Sequence, residues 1–438
     1  MRKPIVRFVK LILFAVIFYV LCIVCAAVFR NDRNAYTRIL MHELHNQDSI
    51  DILFCGASHV SHGLYPDMMN SILGKKTFCT GTPSQGILAT YAIIREAVSL
   101  YDIKEIFLEM DFAVATRTGS FSTDTPSTSK FLASHYLKNP RIKLDYVLRS
   151  TAPAYWLNSA LPAGTEKLID LNPKEAWKTV ASKISGSYFR CEFEEDGRSY
   201  WGKGCVADHD IIENGTFSSD EIPPPIAVDD ISDDYKKTIG RIITLCKERN
   251  IRLFFYAHPN SDFYLCEKGN YDAFHSAIQQ LLAERGFRFY DFNLCKDEFL
   301  SLEDRDFCDD NHLNGSGIRK FTETFCAFYK EMSRRNGGGN SSFFHETYAQ
   351  KLASQPPKIL GIMFNELADK NSVEIIPVLN HGSGTVSFDI FIDGTAAAEH
   401  STDSVFSYPE GASGTMELTA YYDGVPHCHA KKYINALY

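Results

Sequence analysis

Apolar and polar positions along the chain change their spacing several times, and each change predicts an element. Residues 11–29 carry no charge and are almost wholly apolar. At roughly 1.5 Å per residue, a helix of that run nearly crosses a hydrocarbon layer of about 30 Å. Residues 31–49 read as a short amphipathic helix. Beyond them, apolar runs of strand length at 50–55, 76–80, 105–110, 251–259 and 287–292 alternate with helical periodicity at 85–100, 232–250, 271–285 and 315–332. Strand, helix and strand at this spacing predict a parallel sheet with right-handed crossovers, and Ser232 is placed to cap its helix.

The alternation breaks after the third strand. Residues 116–130 are rich in Ser and Thr, and the chain stays irregular to about position 228, through Tyr155, Trp156, Tyr188, Phe189, Tyr200, Trp201 and the turn-rich 221–230. An insertion of that length with that aromatic content reads as a cap or lid. Residues 333–342 have linker composition. From 343 onward, alternating strands at 372–379, 384–394 and 414–424 are punctuated by Gly and Asp-Gly turns, which predicts a small antiparallel β-sandwich. The expected organisation is a cytoplasmic tip and anchor at 1–30, an α/β domain at 31–332 with its lid at about 115–230, a linker at 333–342 and a β-sandwich at 343–438.

Composition narrows the functions. The 438 residues are 45% hydrophobic and 13% aromatic, ample for packed cores, and the formal net charge of −9 argues against a duplex nucleic-acid partner. Arg2, Lys3, Arg7 and Lys10 precede the apolar run, while Arg30 and Arg33 follow it, partly offset by Asp32. The positive-inside rule then favours a cytoplasmic N-terminus, a single-pass anchor and an extracytoplasmic body; a cleaved signal peptide ending near Cys25-Ala26-Ala27 is the alternative. Outside that run the 12 cysteines form no Cys-x-x-Cys pair, so a zinc ribbon or thioredoxin-type site has no support, and a pairing such as Cys191 with Cys205 is left open by spacing.

The polar exceptions fall at the carboxyl ends of the predicted strands, where open parallel sheets bind ligands. Ser58 follows the first strand, Gly81 the second, Asp111 the third and His258 the fourth; "CDDNHLNGSG", with Asp309 and His312, follows the fifth. A serine needs a base and the base an orienting acceptor, and Asp309 and His312, three apart on a turn, can face one way. Backbone N–H groups of Ser58 and Gly81 are candidate donors to an oxyanion.

These features resemble the SGNH (GDSL-type) hydrolase superfamily: "GASH" after the first strand, a glycine after the second and "DDNH" before the final helix. The resemblance covers about 50–332 and implies a three-layer, flavodoxin-like α/β domain. It also implies Ser58 as nucleophile, His312 as base, Asp309 as its partner and Gly81 as an oxyanion donor, with no cofactor and no metal. Two positions depart from the pattern. Ala57 stands where the family usually has Asp, and "LEMDFAVATR" offers Glu109 and Asp111 where it usually supplies an oxyanion-hole Asn. With the anchor and the "DxxHLN"-like block, the chain resembles the extracytoplasmic SGNH proteins of alginate O-acetylation and teichoic-acid D-alanylation. That branch implies acyl transfer to an exported or cell-surface polysaccharide through an acyl-serine, beside a membrane-bound O-acyltransferase.

Blander readings stand beside each residue. Ser58 alone could cap the next helix. His59 and His62 read as turn residues, as cleft-lining substrate contacts, or as metal ligands with Asp309 and Asp310. His258 before Pro259 reads as a strand-end turn or a substrate contact, and Asp111 as a further substrate contact. The competing function is an inactive SGNH-like scaffold that binds glycan or assembles partners, with the sandwich as its binding element.

Overall fold

In the computed structural model the described residues are 2–32, 36–115, 127–132, 134–164, 169, 172–184, 186–192, 197–212, 218–219, 231–334, 342–367, 372–408 and 413–435. Most of the Ser/Thr-rich run at 116–130, the turn-rich 221–230 and most of the linker expected at 333–342 lie outside them. Arg2–Phe29 is one helix, and the most apolar 18 residues within Pro4–Phe29 have a mean hydropathy of 3.1, with 6% of them buried. Its length and composition suit a membrane anchor or a signal sequence.

The strands are β1 Ile52–Cys55, β2 Thr77–Cys79, β3 Glu105–Glu109, β4 Arg198–Gly202, β5 Cys205–Asp208, β6 Ser218–Ser219, β7 Arg252–Ala257, β8 Phe289–Asp291, β9 Ile359–Glu366, β10 Ser372–Leu379, β11 Val386–Ile392, β12 Thr395–Ser401, β13 Val405–Ser407, β14 Ser413–Tyr422 and β15 Val425–Asn435. The five runs expected to form a parallel sheet do so in the order β2-β1-β3-β7-β8, flanked by helices. The fold is the α/β class that the alternation predicts. β1, β2 and β3 are buried along their whole lengths, as expected of parallel strands covered on both faces.

By compactness the chain divides into two units: Met1–Ser61, Gly74–Val206 and Asp230–Phe254 in one, and His62–Leu73, Ala207–Asp229 and Phe255–Tyr438 in the other. The first holds β1–β3, the helix Ile87–Leu100 and the helices of the irregular region. Two of those, Pro140–Ser150 and Pro173–Lys183, start on an Asn cap followed by Pro, with the Asn139 and Asn172 side chains accepting backbone N–H groups of the first turn. The second holds β8, the helices Asp262–Lys268, Tyr271–Ala283 and Gly315–Arg334, and the C-terminal strands.

Those strands form two antiparallel sheets, joined in one of them by β6: β13-β10-β9-β6 and β12-β11-β14-β15. Their inward side chains, among them Ile362, Phe364, Ile375, Phe388, Ile390, Met416 and Leu418, make one apolar core. All twelve cysteines are free thiols, so the Cys191–Cys205 pairing that spacing left open is not made.

Candidate active site

β1 ends in Gly56, Ala57 and Ser58, and Ser58–Ser61 is a single helical turn. Val60 donates its N–H to the Ala57 carbonyl (3.2 Å), the Ser61 hydroxyl donates to the Ser58 carbonyl (2.8 Å), and Tyr36 Oη lies 3.2 Å from Ser61 Oγ. These bonds fix the turn. Every residue from Ile52 to Leu64 is buried except Ser58, which is half-buried. The serine is therefore the one side chain of that stretch presented toward solvent.

The sequence does not explain how Glu109 and Asp111 can stand beside this turn. The structure does. Glu109 Oε2 accepts the Ala57 N–H (2.8 Å), while Glu109 Oε1 and Asp111 Oδ2 lie 3.3 and 2.6 Å from His59 Nδ1. Asp111 Oδ1 accepts the Val114 N–H (2.6 Å) and closes the turn Phe112–Ala115. The carboxylates are thus occupied with an imidazolium and with backbone N–H groups, and all three side chains are buried. Gly56 belongs to the same arrangement: a Cβ there would meet Glu109 Oε2 at 2.2 Å and Val60 Cγ2 at 2.6 Å. At Gly81 a Cβ would come 2.1 Å from the Ala57 carbonyl oxygen and 3.0 Å from the Ser61 nitrogen, so glycine lets the loop after β2 lie against the Ser58 turn.

Burial opposes the charge on His59, but Asp111 and Glu109 outweigh it and hold the imidazole well above its usual pKa. A raised pKa in the folded state contributes stability that is complete below the unfolded value, about 6.5, and is lost as pH rises through the folded value. Thermal midpoints measured against pH should therefore fall on the alkaline side in the wild type. The fall should be weaker in His59→Gln, which cannot lose that charge. Parallel profiles would contradict the ion triad. One atom each from His59, Glu109 and Asp111 lie within 4.8 Å of one another, so these are the residues that could hold a cation. Their short contacts with one another and with Ala57 and Val114 are those of an ion triad supporting the serine turn.

Asp309 and His312 meet as their spacing predicts. His312 Nδ1 lies 3.0 and 2.9 Å from the two Asp309 oxygens, and Asp309 Oδ1 also accepts the backbone N–H of Asn311 (3.0 Å) and His312 (2.7 Å). The carboxylate folds its own loop, as Asp does in turns, and fixes the ring by its Nδ1. Burial raises the Asp309 pKa, but the His312 contact and these N–H groups outweigh it and leave the carboxyl below its ordinary value. Burial, with Asp309 and Glu267 near, pushes Asp310 up to about 6. Asp309, the pair's member, is thus the carboxylate kept charged.

Asn314 holds the loop, a role the sequence reading missed. Its Nδ2 donates to the carbonyls of Arg305 (2.7 Å) and Phe307 (3.2 Å), and its Oδ1 accepts Ser316 and Gly317 N–H groups at the start of Gly315–Arg334. Its signal was an Asn just before a helix. His62 packs its ring 5.2 Å from that of His312, with Nε2 3.1 Å from Asp208 Oδ2; the Cys308 thiol donates to the same oxygen at 3.5 Å. Nothing in the sequence links Asp208 or Cys308 to His62, because they meet only through the fold. His258 is 3% exposed, between the rings of Tyr256 (4.9 Å) and Phe321 (5.2 Å).

No family model matches the chain, and no curated protein matches it. Among solved structures it is similar to a Bacteroides fragilis protein named "putative acylhydrolase", at 9% identity and a TM-score of 0.31, over 68% of this chain and 95% of that one. At that score the likeness carries no argument.

Proposed function

We propose that the chain is a membrane-anchored, extracytoplasmic SGNH-type serine enzyme, an O-acyltransferase or esterase acting on a cell-surface or exported polysaccharide. The observation that carries this reading is the presentation of Ser58: it is the one half-buried residue in a buried turn that Glu109, Gly81 and Tyr36 hold in place. An imidazole oriented by a charged carboxylate and packed against His62, four residues after Ser58 in the chain, supports it.

The proposed reaction needs two steps. Ser58 Oγ attacks the acyl carbonyl as its proton passes to His312 Nε2, and Asp309 stabilises the imidazolium that forms. The backbone N–H groups of Ser58 and Gly81 stabilise the oxyanion. The leaving group takes the proton from His312. A glycan hydroxyl, or water, then attacks the acyl-serine and gives its proton to the same nitrogen, which returns it to Ser58 Oγ as the acyl–Oγ bond breaks, so transfer and hydrolysis share the intermediate. A membrane-bound O-acyltransferase is the proposed donor of the acyl group, and His59, His62, Asp111 and His258 are assigned no bond to the reacting atoms.

Glu109 in place of an Asn donor favours a second reading, a glycan-binding or assembly scaffold without turnover. The full chain in detergent, given p-nitrophenyl acetate, separates the two. The enzyme reading predicts a burst of p-nitrophenol with a Ser58-acetyl adduct, both lost in Ser58→Ala. Undiminished turnover in that variant rejects the assignment of Ser58, and no burst in the wild type favours the scaffold.

A further inference from the structure

We infer that the body rests on the bilayer through a second surface, a lipid-interface patch made by the helices Trp156–Ala160 and Pro173–Lys183. This inference rests on Arg2–Phe29 being a retained anchor. The charge-free run 11–29 is roughly 28 Å long at 1.5 Å per residue, close to the roughly 30 Å of the hydrocarbon layer, so its C-terminal end lies at the headgroup boundary.

A polar collar ties that end to the two helices. Lys183 Nζ donates to the Ala27 carbonyl (2.9 Å) and lies 3.1 Å from Asp32 Oδ1. Arg30 Nη2 donates to the Pro162 carbonyl (3.2 Å), just past Trp156–Ala160, and Arg30 pairs with Ile169 as a β-bridge. Asp32 also accepts from Tyr136 Oη (2.9 Å) and Tyr188 Oη (3.2 Å), and Arg38 Nε donates to its carbonyl (3.2 Å).

Large apolar side chains of the same two helices and their caps are exposed. Leu157 is 76% exposed, Trp177 69% and Ile184 71%, with Tyr155 and Trp156 above a third. Trp177 is six residues from Lys183, roughly 9 Å along the helix axis, so it sits within reach of the same headgroup layer. Pro173–Lys183 carries Lys174, Lys178 and Lys183. Exposed Trp and aliphatic groups interleaved with Lys are the composition of a helix that lies in a membrane interface, and Trp is favoured at that depth. The attachment of these helices to the end of the apolar helix selects lipid over a protein as the patch's occupant.

The test uses the full chain in vesicles of phosphatidylcholine and phosphatidylglycerol, with Trp156→Phe and Trp201→Phe leaving Trp177 as the sole indole. Lipid brominated at acyl positions 6 and 7 should quench its emission at least twofold, and aqueous iodide should quench it little. Intact mass checks the anchor: loss of the N-terminal helix would overturn the anchor reading, and this surface with it. With the mass intact, quenching by iodide and not by bromolipid would overturn the patch, since it would lie in water. Quenching by neither would also overturn it, in favour of a covering protein.

Discussion

Replacing His312 by alanine is expected to slow formation of the acyl-serine by 10²–10⁴-fold, the usual contribution of a positioned general base. The ring is held by Asp309 and packs on His62, and the Asp309 carboxylate keeps its bonds to the loop N–H groups when the ring is removed, so the thermal midpoint should move little. Burst kinetics with p-nitrophenyl acetate read the first effect and circular dichroism the second. Asp309→Asn should lose less, because it keeps an oxygen toward the ring while removing the charge. Asp309 is held below the ordinary carboxylate range, so it stays ionised when the solution is mildly acidic. A His312→Ala burst at the wild-type rate would remove His312 from the chemistry.

The second large effect concerns stability. Gly56→Ala should destabilise the protein by about 3–5 kcal/mol, the cost of breaking a buried ion pair, because the new Cβ cannot coexist with Glu109 in its present place. Overpacking alone would cost about 1–3 kcal/mol. The larger figure follows because Glu109 would leave both His59 and the Ala57 N–H. Gly240→Ala is the opposite case. Nothing lies within 4 Å of its would-be Cβ, it sits inside the helix Asp233–Glu248, and alanine should stabilise it by about 1 kcal/mol. Denaturant melts of the two variants should shift in opposite directions. A Gly56→Ala midpoint equal to the wild type would show that Glu109 does not press against the turn.

The parallel sheet was legible because its strands are buried on both faces and so read as unbroken apolar runs. "EIFLEM" became β3, one residue shorter, and "IRLFFYAHP" became β7. The dyad was legible because Asp309 and His312 are local, and a three-residue separation on a turn already constrains them. The ion triad was not, since His59 meets Glu109 and Asp111 only when β3 pairs beside β1. Sequence alone therefore left two carboxylates with no stated partner. The region after β3 shows a different failure. Asn139-Pro140 and Asn172-Pro173 each carry a helix start in plain form, yet the aromatic and Ser/Thr content around them suggested irregular chain. The hairpin of β4 and β5 turns through Gly202, Lys203 and Gly204, all with positive φ, and its short strands gave too few alternating positions to stand out.

The central claim is that the Ser58 hydroxyl is a nucleophile activated by the Asp309–His312 pair, and its most direct test is the intact mass of the full chain after a fluorophosphonate probe. The account predicts one adduct, mapped to Ser58, absent in Ser58→Ala and formed far more slowly in His312→Ala. An adduct that persists in Ser58→Ala, or a wild-type chain that takes none, would contradict it.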